Sequence, residues 1–447
     1  MYFTKFPCIP VEVTVELFLL LPWEGRRVRI SPAEPPTQHL HKGEYMRKGT
    51  RRVAATVFAL GLIAAACGDD SGSSSEDTTA TAETTATADT TATGDTTAPA
   101  DTTAAGGDEV ATAQAYVDEV RQIPTEIPVT VGLTEPAPAK KIAWIACELP
   151  SCAEVGEDAQ LFADALGWEL KVINGKSFEP APSIQQALDW GADYITISGS
   201  PVALFQEQYD AACAKGVKFA VAYTTEPVNE CTITSVGDAS SVAENADSIA
   251  AWITADSAAA AKVVMVNIRD FPVLVAEEDA LKAGLAKYCA ACTFDVIPVT
   301  LDDLGAGKVP QSVVSYLQEN PDTTYIHYAF GGLPTGVTEA LKTAGIEGVK
   351  QVGVDFSAPN LQEIIDGTHS VWTANPKAMG LALAFHAAVL DAAGVEYTDE
   401  REGAKLGRDF LIDSADAAKA ILDGGGLQVF KGPEGYLDQF KKLWAVG

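Results

Sequence analysis

The sequence predicts an α/β protein built as two doubly wound parallel-sheet lobes with a ligand cleft between them. Three observations lead there. From about residue 140 onward, short apolar runs such as Lys141-Ile-Ala-Trp-Ile-Ala146 and Tyr194-Ile-Thr-Ile197 alternate with helical stretches. Apolar strands joined by helices form a parallel sheet covered on both faces. Proline opens and glycine closes the helical stretches, as at Pro201, Gly216 and Gly345, which is the usual capping asymmetry. The alternation then runs through a second time, so each set buries a sheet of its own.

Taken in order, the first set predicts strands over 141–146, 168–173, 194–197, 217–223 and 232–236, with helices over 153–166, 183–190 and 201–215. The second predicts helices over 243–258, 274–288, 313–319 and 338–345, alternating with strands over 262–268, 294–299, 324–329 and 349–354. A long helix follows over 376–393 and a shorter one over 416–422. In such lobes ligands bind beyond the carboxyl ends of the strands.

The chain has 447 residues, with 31 Lys+Arg against 61 Asp+Glu and a net charge of −30. That balance argues against nucleic-acid phosphates or anionic membranes as bulk electrostatic partners. Residues 1–45 carry no pattern that leads into an element and read as an extension upstream of the true start. At Met46 a basic head begins, followed by an apolar run over 53–66 that ends in small residues at Cys67. Residues 46–66 are therefore expected to be an export signal. At about 1.5 Å per residue the run spans about 21 Å, short of a hydrocarbon core near 30 Å. The small residues before Cys67 resemble a bacterial lipobox, which implies lipidation of that cysteine. Residues 67–107 are nearly all Asp, Glu, Ser, Thr, Ala and Gly, a composition that buries too little apolar surface to order itself. They are expected to form a disordered tether, with a helix and linker over 108–139.

Eight cysteines occur, and setting aside Cys8 and Cys67 leaves an even six. In an oxidising compartment proximity favours Cys147/Cys152, Cys213/Cys231 and Cys289/Cys292 as disulfides. Cys289-Ala-Ala-Cys292 could also serve redox chemistry or half a zinc site, but no second such pair or nearby His completes a metal tetrahedron.

Two passages carry a family resemblance. One runs from Ala163-Asp-Ala-Leu-Gly-Trp168 through Ile184–Ile197; the other is Val352-Gly-Val-Asp-Phe356, Leu361–Gly367 and Trp372-Thr-Ala-Asn-Pro-Lys-Ala-Met-Gly380. From about Lys140 onward the chain resembles the type 1 periplasmic binding proteins, in the ribose- and sugar-binding branch. The resemblance implies a hinge of three crossings, near 236–240, 375 and 413. It divides the body into an N-terminal lobe (140–236 plus 376–412) and a C-terminal lobe (237–375 plus 413–447). It also implies a small-molecule ligand, an ABC permease as membrane partner, a lipid anchor as the only membrane attachment, and a monomer without cofactor.

In the sugar-binding members the Asp after Gly-x and the amide before the Pro-initiated helix reach the ligand, which here implies Asp355 and Asn375. A fixed carboxylate and a planar amide each bond two adjacent hydroxyls. The bland alternative makes Asp355 a helix cap and Asn375 a loop-backbone partner. Other family polar anchors are replaced: Tyr223-Thr-Thr-Glu226 stands after the fourth strand, Arg269 is followed by Phe271-Pro-Val-Leu, and Tyr328-Ala-Phe-Gly331 follows a later one. These changes make Tyr223, Thr224, Phe330 and Trp372 candidate ligand contacts and point to a ligand less polar than an ordinary sugar. Core packing is the competing role for Trp372, and Trp144, Trp168, Trp190 and Trp252 read as core. Glu277-Glu278-Asp279 reads as a solvated helix start. The histidines of the body, His327, His369 and His386, are scattered, and no nucleophile elbow or P-loop occurs. An enzyme is not expected.

Overall fold

The computed structural model describes residues 102–447 apart from Asn375, 398–409 and 424–430. The export signal, Cys67, most of the tether and the candidate Asn375 lie outside the described residues.

After helix α1 (Thr102–Val120), the first sheet is built from β1 (Lys141–Ala146), β2 (Glu169–Asn174), β3 (Tyr194–Ser198), β4 (Lys218–Ala222) and β5 (Thr232–Val236). Its order is β2-β1-β3-β4-β5, all parallel. Strand alternation divides the side chains between two cores. Ile142, Trp144 and Ala146 face one core with α2 (Pro150–Leu166), whereas Ala143 and Ile145 face the other. The second core is covered by α3 (Ala181–Trp190) and α4 (Gln206–Ala214). Trp144, Trp168 and Trp252 are buried as expected. Trp190 is only partly buried, with the Lys141 and Lys171 ammonium groups over its ring at 5.2 and 5.8 Å.

The second sheet has the order β11-β10-β9-β8-β6-β7. Its strands are β6 (Lys262–Asn267), β7 (Thr293–Pro298), β8 (Tyr325–Tyr328), β9 (Lys350–Gly353), β10 (Val371–Thr373) and β11 (Leu411–Ile412). All pairings are parallel except β10 with β11. Between these strands run α5 (Ala239–Asp256), α6 (Pro272–Tyr288), α7 (Leu301–Gly305), α8 (Val309–Glu319), α9 (Val337–Ala344) and α10 (Ala358–Ile365). They share one large apolar cluster centred on Val264, Met265, Ile326, Val352 and Ile412. The remaining helices are α11 (Lys377–Ala392), α12 (Ala415–Asp423) and α13 (Tyr436–Leu443).

Each end of the body packs on the lobe to which its neighbouring element in the chain does not belong. Helix α1 begins inside the expected tether and packs on α5 through Ala113, Val117 and Val120, so it belongs to the second lobe. Strand β11 extends the second sheet although residues up to 412 were expected in the first lobe. Conversely, α13 belongs to the first lobe: Tyr436 and Trp444 pack edge-on against Phe162, which in turn packs on Phe385, while Phe440 lies tilted against Trp444. The chain thus passes between lobes before β1 and again between α12 and α13, besides the passages at β5–α5, β10–α11 and α11–β11. The apolar faces of the terminal helices decide this, because each buries its stripe against whichever lobe offers an uncovered core.

The disulfides join Cys147–Cys152, Cys213–Cys231 and Cys289–Cys292, with Cα separations of 5.4, 5.6 and 5.4 Å. The last bridges the end of α6 and the start of β7.

Candidate functional site

Of the candidate residues, Tyr223, Thr224, Phe330 and Asp355 stand in loops just beyond the carboxyl ends of β4, β8 and β9. Among the described residues five non-glycine ones have positive φ, and two are candidates: Tyr223 after β4 (φ 53) and Asp355 after β9 (φ 55). This left-handed conformation is costly for a residue with a Cβ and concentrates at sites that need a side chain aimed in one direction.

Asp355 is not a helix cap. Ser357 caps α10, forming a reciprocal capping box with Asn360. The Asp355 carboxylate instead lies 3.1 Å from Lys377 Nζ, with both side chains about a quarter exposed (24% and 28%). Lys377 is the first residue of α11, a helix of the first-lobe core. The ion pair therefore ties a second-lobe loop to the first lobe beside the crossing that contains Asn375. The loop after β8 packs directly beneath: Gly331 N donates to Asp355 O at 3.0 Å. A Cβ at Gly331 would stand 2.4 Å from Asn360 Oδ1, so only glycine fits there.

Tyr223 is half-buried and touches the apolar clusters of both lobes. Its ring covers Gly237 so closely that a Cβ there would lie 2.6 Å from Tyr223 Cε1. Tyr223 N donates to Val236 O at 2.7 Å, placing the residue against the β5–α5 crossing. Thr224 is buried, with its hydroxyl accepting from Glu226 N at 3.4 Å. Phe330 is half-buried against the second-lobe core.

Trp372 departs from the expected ligand contact. It is wholly buried, donates from Nε1 to His369 Nδ1 at 3.0 Å, and stacks on Tyr328 and His369. Its strand position directs the indole into the second-lobe core, where Gly353 leaves space for the ring edge.

Several residues were missed by the sequence reading. Glu277, taken for part of a solvated helix start, is 1% exposed and sits 3.0 Å from His327 Nε2. Burial, reinforced by the charge of Asp355, pushes the Glu277 carboxyl well above its usual range. Burial likewise lowers His327 to about 3, so the pair is electrically neutral beneath Asp355. The helical period offered the signal: Glu277 stands four residues before the buried Leu281 and four after the buried Val273.

Other polar and aromatic groups stand in the loops after β1, β2 and β6. Phe178, from the loop after β2, meets Phe271, from the loop after β6, with ring centroids 4.8 Å apart and planes tilted by 30°. Glu148, after β1, accepts from both Ser177 N (2.9 Å) and Ser177 Oγ (3.0 Å). Arg269 is held by Glu278 through two hydrogen bonds of 2.8 and 2.5 Å. Together these groups provide carboxylates, one ammonium and several aromatic faces at the junction of two lobes, an arrangement suited to holding a small molecule. Among the described residues no cluster of His, Cys, Asp and Glu is placed to hold a metal ion. No described helix is long and apolar enough to cross a membrane.

The same architecture recurs among solved structures. A carbohydrate transporter from Acidothermus cellulolyticus, in complex with myo-inositol, has a TM-score of 0.53 at 16% identity, covering 63% of this chain and 97% of that one. An ABC transporter solute-binding protein from Mycobacterium smegmatis, with bound glycerol, gives 0.54 at 20% identity, covering 66% and 99%. A 5-methylthioribose transporter solute-binding protein from Thermotoga lettingae, in complex with 5-methylthioribose, gives 0.54 at 16%, covering 70% and 99%. At these identities the likeness is one of fold. No curated protein matches the sequence. Residues 148–393, more than half of the chain, match the periplasmic binding protein domain. The chain belongs to that family.

Proposed function

We propose that this protein is an extracytoplasmic solute-binding lipoprotein that captures a sugar or sugar-like small molecule between its lobes and delivers it to an ABC importer. It is a binder and not an enzyme, works as a monomer, and needs no cofactor. The observation that carries the reading is Asp355: it is strained at positive φ, free of any capping duty, and paired across the lobes with Lys377. A carboxylate in that position accepts from two ligand hydroxyls, while Asn375 supplies the neighbouring amide. Binding at the junction favours the arrangement in which both lobes touch the ligand, so occupancy drives hinge closure. Lipidation at Cys67 and the tether to residue 107 hold the body within reach of the permease. A sensor that presents its closed form to a membrane receptor is the alternative role for the same binding event.

A second ligand class is favoured by Tyr223 and Phe330, which set aromatic rings where sugar-binding members carry polar anchors. A deoxy or thioether-bearing sugar would use both halves of such a site.

Thermal-shift measurements against sugars, polyols, methylthio sugars, amino acids, nucleosides and aromatic acids test the reading. A ligand at 100 times its Kd adds about 2.7 kcal/mol of stability. A hit among sugars or polyols is expected; hits confined to amino acids would overturn the ligand class. Cys67→Ala, or treatment with globomycin, should release the protein from membranes, and unchanged partition would remove the anchor from the account.

A further inference from the structure

We propose that Phe178 and Phe271 form a latch between the lobes, two positioning residues that set how readily the cleft closes without themselves touching the ligand. The inference rests on the reading of this protein as a two-lobe binder. Phe271 belongs to the second lobe, at the residue before Pro272 opens α6. It is only 8% exposed, packed within its own lobe's apolar cluster and also against residues of the first lobe. Phe178 meets its ring at a centroid distance of 4.8 Å, and a Cβ at Gly199, after β3, would stand 3.6 Å from Phe271 Cε1. Rings this close leave no room for a ligand between them. They contact each other, and their contact exists only while the lobes are together.

On the first lobe, a chain of interactions fixes Phe178. The Cys147–Cys152 disulfide brackets Glu148 at the end of β1. The Glu148 carboxylate grips Ser177 through its backbone N–H and its hydroxyl, while Ser200 Oγ donates to Ser177 O at 2.8 Å. Ser177 is 4% exposed, and Phe178 is the next residue. On the second lobe, the bidentate Arg269–Glu278 pair anchors the loop that carries Phe271 to its own helix. Both rings are thus presented on stiffened loops, so little freedom is lost when they meet.

The test is single-molecule energy transfer on the full-length protein, with dyes on p-acetylphenylalanine at the exposed positions Gln185 and Lys342, in the absence of added sugar. Phe271→Ala is expected to raise the ratio of separated to closed molecules about fivefold to tenfold. Phe178→Ala should do the same, the double variant no more than either, and Phe271→Tyr should restore the parent distribution. Circular dichroism melts report whether a variant has lost its fold, in which case Phe271→Leu, which keeps the apolar volume without a ring, gives the decisive distribution. Unchanged distributions in both single variants, or additive effects in the double, would overturn the latch. Because no ligand is added, a screen that finds no sugar leaves this result untouched, and a failed latch leaves the binding reading in place.

Discussion

The two lobes repeat one topology but are stiffened by different chemistry. The first carries two disulfides and a terminal helix recruited from the far end of the chain, whose Trp444 donates to His386 Nδ1 at 3.2 Å. The second carries one short disulfide clip and buries polar networks instead: Glu277 with His327, and His369 with Trp372, Glu363 and Tyr328. Each lobe therefore anchors a tryptophan on a histidine, once from outside the sheet and once within it. The first lobe should therefore respond more to truncation and reduction, and the second more to pH.

The sharpest way to break this comparison is at the terminal helix. Trp444 is fully buried among Phe162, Phe440 and His386, so Trp444→Ala should cost about 3–5 kcal/mol. Hydrogen exchange should show the loss concentrated in residues 141–236; protection lost instead around β6–β10 would show that the helix serves the second lobe. Next in size is the disulfide contrast. In the chain-entropy account a link closing 18 residues, as Cys213–Cys231 does, contributes about 3 kcal/mol, and the 3-residue Cys289–Cys292 clip about half that. Replacing each pair with alanine and measuring denaturant midpoints tests the ratio.

The pH contrast is smaller and has a defined sign. His327 and His369 are both held near 3 by burial, against 6.5 when exposed. The unfolded chain therefore binds more protons between these values, and stability, complete above about pH 6.5, falls as the pH drops. Glu277 acts oppositely, since its raised carboxyl keeps a proton in the folded state that the unfolded chain releases above about 4.5. Glu277→Gln removes that opposition. The variant should lose stability more steeply than the parent between about pH 6.5 and 4.5, by up to about 1.4 kcal/mol per pH unit. A slope equal to the parent's would mean that Glu277 is ionised in the folded protein.

The fold was readable because its signals are local and repeated. Strands such as 141–146 and 194–198 are mostly apolar, and proline and glycine mark helix limits. Helix α13 was not foreseen, and its stripe, like that of α1, fits either lobe, because sequence does not say which core lies uncovered. Asp355 was picked out through the family resemblance and Tyr223 through its place after a strand, whereas Trp372 was ambiguous because a buried indole and a stacking indole look alike in sequence. Glu277 was hidden by its charged neighbours, and the Phe178–Phe271 contact joins residues 93 positions apart with no shared motif.

The central claim is that Asp355 binds the solute at the lobe junction. Titration calorimetry of the first sugar or polyol found by thermal shift, on the parent and on Asp355→Asn, tests it most directly. The account predicts affinity reduced at least tenfold, with a melting temperature within about 2 °C of the parent's. Unchanged affinity with a lowered melting temperature would contradict it, and would make Asp355 a hinge strut for Lys377 alone.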